Sequence, residues 1–222
     1  MNYTDLNTIE YGRALEYQNN LFSKAIFRKD KGFRGDNDLL FCEHPHVITI
    51  GKHGKSENLL FREFELAKRG VSLYQIDRGG DVTYHGPGQL VGYPIFDLES
   101  FHIGLRQYIF NIEEIIIRLL SRYNIQAERF KGAAGVWIDT TIPSKTRKIA
   151  AIGVRSSRFV TMHGFALNIN TDLSFFSLIN PCGFTDKGVT SMQNELGHEV
   201  NMEEVKKEMR ELFEKAFVEV NL

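Results

Sequence analysis

Cys182 is the side chain of this sequence best suited to covalent chemistry. It lies in the tetrapeptide Asn180-Pro181-Cys182-Gly183, where proline and glycine favour a tight turn that holds a side chain exposed and oriented. Most free cysteines are small buried hydrophobes, and Cys42, in the apolar run 39–42, fits that description. The local sequence therefore leaves Cys182 open to either a reactive or a structural role.

A reactive thiol at position 182 needs a partner, because an unperturbed cysteine with a pKa of about 8.5 is only a few per cent thiolate at neutral pH. A nearby cation lowers the thiol pKa. The candidate cations are His85, His163 and Lys148, and sequence spacing alone does not choose among them. Lys148 precedes the apolar run 149–154, where a lysine can be held rigidly, although most lysines in such positions are solvated.

The segment Arg78–Gln89, with the sequence RGGDVTYHGPGQ, is rich in glycine and in polar side chains. Its glycines let the backbone approach a ligand closely. The polar groups that can point the same way are Arg78, Thr83, His85 and Gln89. The spacing matches neither a P-loop nor a dinucleotide fingerprint. A surface turn is the alternative, but the pattern favours a binding site.

Other chemistries have weaker support. His44 and His46 flank a proline and His53 follows, but no fourth ligand stands at a recognised metal-site spacing. A strand-edge turn explains this histidine pair better, so we expect no metal. No Gly-x-Ser-x-Gly nucleophile elbow is present in the sequence.

The elements that must position these residues follow from hydrophobic periodicity and turn signals. Helices are predicted over Tyr11–Phe27, Glu57–Arg69, Leu105–Leu120 and Val205–Phe217. Strands are predicted over Asp38–Ile50 (interrupted at Pro45), Val71–Ile76, Leu90–Leu98, Gly135–Asp139, Lys148–Val154 and Phe159–Asn168. Arg78–Gly88 is expected to be a loop, and Thr140–Arg147 a polar connection. Terminal helices around a strand-rich middle indicate an α+β (mixed α/β) fold rather than a doubly wound sheet.

Composition narrows the class of protein. The chain has 222 residues, of which 42% are hydrophobic and 25% charged, and no sequence feature marks a domain boundary, so we expect one domain over residues 1–222. With a formal net charge of −1, the chain lacks the overall positive charge that is typical of nucleic-acid-binding proteins. No apolar run reaches the ~18 residues that span a membrane. Two cysteines and an N-terminus unlike a targeting peptide predict a cytoplasmic protein.

Three blocks of the sequence resemble the lipoyl(octanoyl) transferases, which are relatives of the lipoate and biotin protein ligases. The first is Arg78–Gln89, which follows the family pattern Arg-Gly-Gly, two variable residues, Thr, an aromatic residue, His and Gly-Pro-Gly-Gln. The second comprises Lys148–Gly153 (KIAAIG) and His163–Asn168 (HGFALN), and the third is Asn180–Gly183 (NPCG). The blocks stand in the family's order over about half of the chain.

The resemblance implies a ligase-like fold in which helices flank a mixed or antiparallel central sheet. It implies that Cys182 takes an octanoyl or lipoyl group from an acyl carrier protein thioester, and that Lys148 lowers the thiol pKa and shuttles the proton. The acceptors would be lysines on the lipoyl domains of 2-oxoacid dehydrogenase complexes and on the glycine cleavage H protein, in the first step of endogenous protein lipoylation. No cofactor, nucleic acid or membrane is implied. The substrate-binding positions would be Arg78, Gly79, Gly80, Asp81, Val82, Thr83, Tyr84, His85, Ala151, Ile152, Gly153, Gly164, Phe165 and Ala166.

Two features depart from the family pattern or remain without a role. The connection Asp139–Arg147 is longer than the short hairpin of the family, and the negative charge of Asp81 in the first block has no assigned purpose. A basic rim for acidic protein substrates is expected near the site. Its candidates are Lys131, Arg147, Arg155 and Arg158.

Three other functions compete with acyl transfer. An ATP-dependent lipoate or biotin ligase would share the fold but needs no nucleophilic cysteine. A non-catalytic binder of acyl groups or lipoyl domains would need neither Cys182 nor Lys148. An amidotransferase between lipoylated proteins also uses a cysteine on this fold, but its signature loop differs from Arg78–Gln89.

Overall fold

The computed structural model describes residues 1–33, 35, 37–54, 58–180 and 187–217. Cys182 and the rest of 181–186 lie outside the described residues. The helices are α1 Tyr11–Asp30, α2 Glu63–Lys68, α3 Leu105–Arg122, α4 Met192–Leu196 and α5 Met202–Phe217. The strands are β1 Asn2–Thr8, β2 Asp38–Glu43, β3 Val47–Ile50, β4 Ser72–Gln75, β5 Val82–His85, β6 Gln89–Ile95, β7 Glu128–Phe130, β8 Ala133–Ile138, β9 Arg147–Ser157, β10 Val160–Asn168 and β11 Gly188–Val189.

Within the described ranges, eight strands form the larger sheet and three form a smaller one. The larger sheet runs β1-β2-β6-β10-β9-β8-β7, and the short β11 pairs with β9 where β10 has ended. β1 and β11 pair in parallel with their neighbours, and the other pairs of this sheet are antiparallel. The smaller sheet runs β4-β3-β5. The prediction of an α+β fold with a mixed central sheet and flanking helices is confirmed.

The larger sheet is buried on both faces, which explains the apolar run at β2. Alternate side chains of a strand point to opposite faces. Leu39 and Phe41 accordingly join the core beneath α3 and α5, whereas Leu40 and Cys42 join the core beneath α1. A strand covered on both sides reads as a continuous hydrophobic stretch rather than an alternating one.

Several predicted boundaries are confirmed. The chain leaves the extended run at Pro45, and the strands on either side of it, β2 and β3, belong to different sheets. The predicted first, third and last helices appear as α1, α3 and α5. No helix in the described part of the chain has the length and apolar character needed to cross a bilayer.

Two predictions of local structure were wrong. The helix expected over Glu57–Arg69 is confined to α2, because Leu59 forms a β-bridge with Ile179 and the Leu60 amide donates to the Leu178 carbonyl. These long-range bonds keep the chain before α2 out of the helix. The loop expected over Arg78–Gly88 contains β5, whose alternate residues are buried in the core of the smaller sheet.

Candidate active site

A cavity of about 570 Å³ lies where the two sheets meet. Lys148 and every predicted substrate-binding residue except Tyr84 line it. Tyr84 is instead buried in the core of the smaller sheet, where its hydroxyl is 2.7 Å from His46 Nδ1 and its ring stacks on Phe175. The first two motif blocks are distant in sequence, and the fold brings both of them to one cavity. The third block contains Cys182, which is outside the described residues.

Small residues of β9 and β10 form one wall of the cavity. Ala151 pairs across the strands with Ala166, and Gly153 pairs with Gly164. A Cβ atom added at Gly153 would lie 2.8 Å from the Gly79 carbonyl oxygen, closer than real Cβ contacts allow. The glycine therefore permits the loop of residues 78–81, which we call the signature loop, to approach the sheet.

The loop formed by residues 78–81 is fixed by backbone hydrogen bonds from β9 and from the turn that follows β3. The amides of Lys52 and His53 donate to the carbonyls of Arg78 and Gly80, at 2.9 and 3.2 Å. On the other side, the Gly79 amide donates to the Val154 carbonyl at 2.9 Å. The cavity wall made by this loop is therefore preorganised.

The Arg78 guanidinium is buried and makes hydrogen bonds to the smaller sheet. Its Nη2 donates to the Thr49 carbonyl at 2.8 Å and to Thr49 Oγ1 at 3.0 Å. Charged hydrogen bonds of this kind are stronger than neutral ones. These contacts give Arg78 a structural role in holding the loop.

A chain of hydrogen bonds connects His85, at the end of β5, to the strand that carries Lys148. His85 Nδ1 lies 2.7 Å from Gln89 Oε1, and Gln89 Nε2 donates to Asn168 Oδ1 at 2.8 Å. Asn168 Nδ2 then donates to the Thr190 carbonyl at 2.9 Å, and the Thr190 amide donates to the Lys148 carbonyl at 2.9 Å. Since an amide oxygen only accepts, the proton of the first bond belongs to His85 Nδ1.

Both histidines proposed as cations are electrically neutral at pH 7. Burial, with a smaller contribution from the neighbouring His44, lowers the pKa of His85 to about 3. Burial also lowers the pKa of His163 to about 4, although a hydrogen bond to Asp77 opposes this shift. Among the three candidate cations, Lys148 alone has the chemistry to carry a positive charge into the cavity.

Lys148 lies near the start of β9, between Trp137 of β8 and Val189 of β11. Its Nζ is 4.6 Å from the centroid of the Trp137 ring. A cation over the face of an indole ring is attracted by the ring quadrupole. The strand neighbours fix the backbone of Lys148, and the ring provides a favourable surface for its ammonium group.

The histidines on either side of Pro45 bond to other groups of the protein. His44 Nε2 is 2.7 Å from the Tyr93 hydroxyl, and His44 Nδ1 is 2.7 Å from the Ile9 carbonyl. His46 bonds to Tyr84. In the described ranges, no three His, Cys, Asp or Glu side chains are grouped so that they could hold a metal ion.

Cys42 is a free and fully buried cysteine of β2. Burial raises the pKa of its thiol well above the ordinary value. A buried, protonated thiol is a poor nucleophile. Cys42 therefore has the structural role that its sequence context predicts.

Three of the four candidates for a basic rim are paired with carboxylates. Arg155 pairs with Asp77, Arg158 with Asp30, and Arg147 with both Asp139 and Glu195. Lys131 is exposed in the turn between β7 and β8, next to residues 132–134 of the cavity wall. The structure thus leaves Lys131 as the best placed of the four to meet an acidic partner.

Sequence reasoning missed part of the cavity wall. The missed residues come from elements distant in sequence, and they include Tyr11, Tyr93, Leu105, Ile109, Trp137 and Phe176. Leu105 and Ile109 lie on the apolar stripe of α3 that was assigned to the core. Leu105 is the first residue of α3 and is exposed rather than buried in the core.

The fold is that of the lipoate protein ligases. A bi-partite lipoate protein ligase from Thermoplasma acidophilum, whose structure was solved in a study of an archaeal lipoylation system with its E2 lipoyl domain, superposes with a TM-score of 0.70. The superposition covers 97% of this chain and 82% of the other at 18% sequence identity. At that identity the likeness establishes the fold alone.

The family follows from sequence comparison. The family model of the lipoyl protein ligase A/B catalytic domain matches residues 11–214. An octanoyltransferase of Parabacteroides distasonis is 60% identical over 215 residues, which cover 97% of each protein. An octanoyltransferase of Porphyromonas gingivalis is 54% identical over 97% of this chain and 44% of its own length. The chain belongs to the lipoyl protein ligase A/B catalytic domain family, and the resemblance seen in its motifs is confirmed.

Proposed function

We propose that the chain is an octanoyltransferase that acts through Cys182 and Lys148. Its donor is the octanoyl thioester of acyl carrier protein, and its acceptors are lysines on the lipoyl domains of 2-oxoacid dehydrogenase complexes and on the glycine cleavage H protein. Octanoyltransferase relatives that match over nearly the whole chain support the reaction. We also propose that residues 1–222 act as one catalytic domain, in the cytoplasm.

The observation that carries the catalytic assignment is the position of Lys148. It lines the cavity beside Ala151 and Gly153, whereas both cavity histidines are held neutral by burial. An ammonium near a thiol favours the thiolate. Lys148 is therefore the group suited to activate a cysteine nucleophile at neutral pH.

Sequence connectivity supports Cys182 as that nucleophile. Phe176 and Lys187 stand on either side of Cys182 in the chain, and both line the cavity that holds Lys148. Cys182 therefore belongs to a stretch of ten residues, 177–186, whose two flanking residues both line the cavity. Cys42 is buried in the sheet and has no access to the cavity.

In the first half-reaction, the Cys182 thiolate attacks the carbonyl carbon of the donor thioester. A new C–S bond forms to Cys182 and the C–S bond to the donor's phosphopantetheine breaks. The departing thiolate takes a proton from the Lys148 ammonium. The enzyme then carries the octanoyl group as a thioester, and the side chain of Lys148 is neutral.

In the second half-reaction, the amine of the acceptor lysine attacks the carbonyl carbon of the Cys182 thioester. The C–N bond of the product amide forms and the C–S bond to Cys182 breaks. Neutral Lys148 accepts the proton that the nitrogen loses. Both residues return to their initial state, and since the thioester donor is already activated, no ATP is consumed.

The cavity suits an apolar acyl chain. Val82, Ile152, Phe165 and the small residues Ala151 and Ala166 contribute to its wall. Burial of each methylene stabilises the bound state by about 0.8 kcal/mol. The eight-carbon tail therefore supplies much of the affinity for the acyl group.

Intact-protein mass spectrometry tests the proposal. The enzyme is mixed with octanoyl-acyl carrier protein in the absence of ATP, and we expect a mass gain of one octanoyl group that hydroxylamine removes. The Cys182→Ser variant is expected to gain no such mass, whereas Cys42→Ser is expected to be acylated like the wild type. If no adduct forms, and a lipoyl domain is modified only when free octanoic acid and ATP are supplied, the chain is a ligase instead.

A further inference from the structure

We infer that two carboxylates, Asp81 and Glu195, are positioning residues for the chain on either side of residues 181–186. Each fixes one end of this segment through a neutral side chain that lies outside the cavity wall. Their shared effect is to set where Cys182 stands relative to Lys148. The inference rests on the proposed function, which gives Cys182 the nucleophilic role.

Asp81 anchors the chain before the segment. Its Oδ2 accepts a hydrogen bond of 2.5 Å from Asn58 Nδ2. The Asn58 carbonyl in turn accepts a bond of 2.9 Å from the Asn180 amide, immediately before residue 181. The neighbouring β-bridge between Leu59 and Ile179 extends this pairing. The unassigned negative charge of the signature loop thus has a defined partner.

Glu195 anchors the chain after the segment. Its Oε1 accepts a bond of 2.5 Å from Thr190 Oγ1, and its carboxylate is held by Arg147 through bonds of 2.7 and 2.6 Å. Thr190 follows β11, and its amide bonds to the Lys148 carbonyl at 2.9 Å. Arg147 is the residue before Lys148 in β9. Glu195 therefore links β9, which carries Lys148, to the segment after β11, which follows Cys182 in the sequence.

These side-chain contacts matter because the backbone pairing at each end is short. β11 pairs with β9 at Gly188 and Val189, and among the described residues the pairing before the segment spans only Asn58–Leu60 and Leu178–Asn180. Reacting groups must be held to within about 0.5 Å, and a misplacement of about 1 Å costs on the order of 100-fold in rate. Charge-assisted hydrogen bonds are suited to such a task, because they are shorter and stronger than neutral ones.

The test compares variants that remove one hydrogen bond at each end. Asn58→Ala removes the donor to Asp81, and Thr190→Val removes the hydroxyl donated to Glu195, whereas Thr190→Ser keeps that hydroxyl. Glu214→Gln is the matched control, since it breaks an exposed ion pair with Arg210 in α5. For each folded variant, the pH profile of Cys182 alkylation by iodoacetamide, kcat and the KM for octanoyl-acyl carrier protein are measured.

We expect alkylation to require a higher pH and kcat to fall on the order of tenfold or more in Asn58→Ala and Thr190→Val. The KM of the donor is expected to change little, and Thr190→Ser and Glu214→Gln to resemble the wild type. Lowered melting temperatures with wild-type alkylation profiles and kcat in both variants would overturn the inference, provided that Lys148→Ala shifts the profile. If Lys148→Ala leaves the profile unchanged, the proposed dyad fails and the inference fails with it.

Discussion

Lys148 and Trp137 are cross-strand partners, and the Lys148 Nζ lies 4.6 Å from the centroid of the indole ring. The ring is buried, so it offers the ammonium group an aromatic face in place of part of its hydration shell. Cation–π contacts contribute about 0.5–2 kcal/mol, depending on how far the cation is desolvated. The indole therefore provides a favourable contact for the ammonium group of Lys148 at the cavity wall.

We predict that Trp137→Leu lowers kcat about tenfold, because loss of a contact of about 1.4 kcal/mol corresponds to that factor in rate. Trp137→Phe keeps an aromatic face and is expected to retain more activity. The measurement is octanoyl transfer to a lipoyl domain, with the pH profile of Cys182 alkylation recorded in parallel. Phe64→Leu is the control, since the exposed Phe64 makes a cation–π contact with Lys68 in α2 and neither residue lines the cavity. Equal losses in Trp137→Leu and Phe64→Leu would contradict a specific role for the indole.

The cross-strand pair Ala151 and Ala166 gives a prediction about acyl length. Ala151→Leu adds three carbon atoms to the wall of the cavity, so the longest acyl chains should no longer fit. Since each methylene contributes about 0.8 kcal/mol, we expect a loss of about fourfold in kcat/KM for each methylene that no longer fits. The measurement is a series of acyl-acyl carrier proteins from four to ten carbons. An unchanged optimum at eight carbons would show that Ala151 does not face the acyl chain.

A third prediction concerns the close approach of the signature loop to β9. Gly153→Ala places a Cβ 2.8 Å from the Gly79 carbonyl and 3.1 Å from Arg78 Cδ, so the loop must shift. We expect the KM for the donor to rise and kcat to fall together, because the displaced loop forms part of the cavity wall. Gly104→Ser is the control: a Cβ at Gly104 meets nothing within 4 Å, and serine is a favourable residue at this helix N-cap. Wild-type kinetics in a folded Gly153→Ala enzyme would contradict the prediction.

The elements that were predictable from the sequence are those fixed by local patterns. The apolar stripe of α3 repeats at helical spacing over many residues, and Pro45 breaks an extended run because it cannot donate to a ladder. The chemical types at the site were also visible, since Lys148 and the glycines of the signature loop stand in recognisable motifs. These features depend on neighbours in sequence.

The features that were not predictable depend on residues distant in sequence. Nothing near Glu57–Arg69 shows that Leu59 will pair with Ile179 and shorten the helix. The choice of Lys148 over His85 and His163 required burial, which sequence spacing does not supply. The partner of Asp81 was hidden for the same reason, because Asn58 lies in a segment that was predicted to be helical.

Three buried histidines give a prediction about stability and pH. Burial lowers the pKa of His44 and His163 to about 4 and that of His85 to about 3, all below the ordinary value of 6.5. Above pH 6.5 both folded and unfolded chains hold these side chains neutral. Below pH 6.5 the unfolded chain binds protons that the folded chain does not, so the free energy of unfolding decreases as the pH is lowered. Each histidine contributes about 1.4 kcal/mol per pH unit at the steepest part of this window.

We therefore expect urea unfolding curves between about pH 7.5 and 5.5 to show a slope that approaches about 4 kcal/mol per pH unit at the acidic end, which corresponds to three protons taken up on unfolding. Carboxylates with lowered pKa, such as Glu195, lose their contribution only at lower pH, so this window isolates the histidines. His44→Gln should reduce the number of protons taken up on unfolding by one, whereas replacement of the exposed His198 by Gln should leave that number unchanged. A wild-type slope of less than one proton would mean that these imidazoles are not held neutral, and the exclusion of His85 and His163 as cations beside the proposed nucleophile Cys182 would then lose its basis.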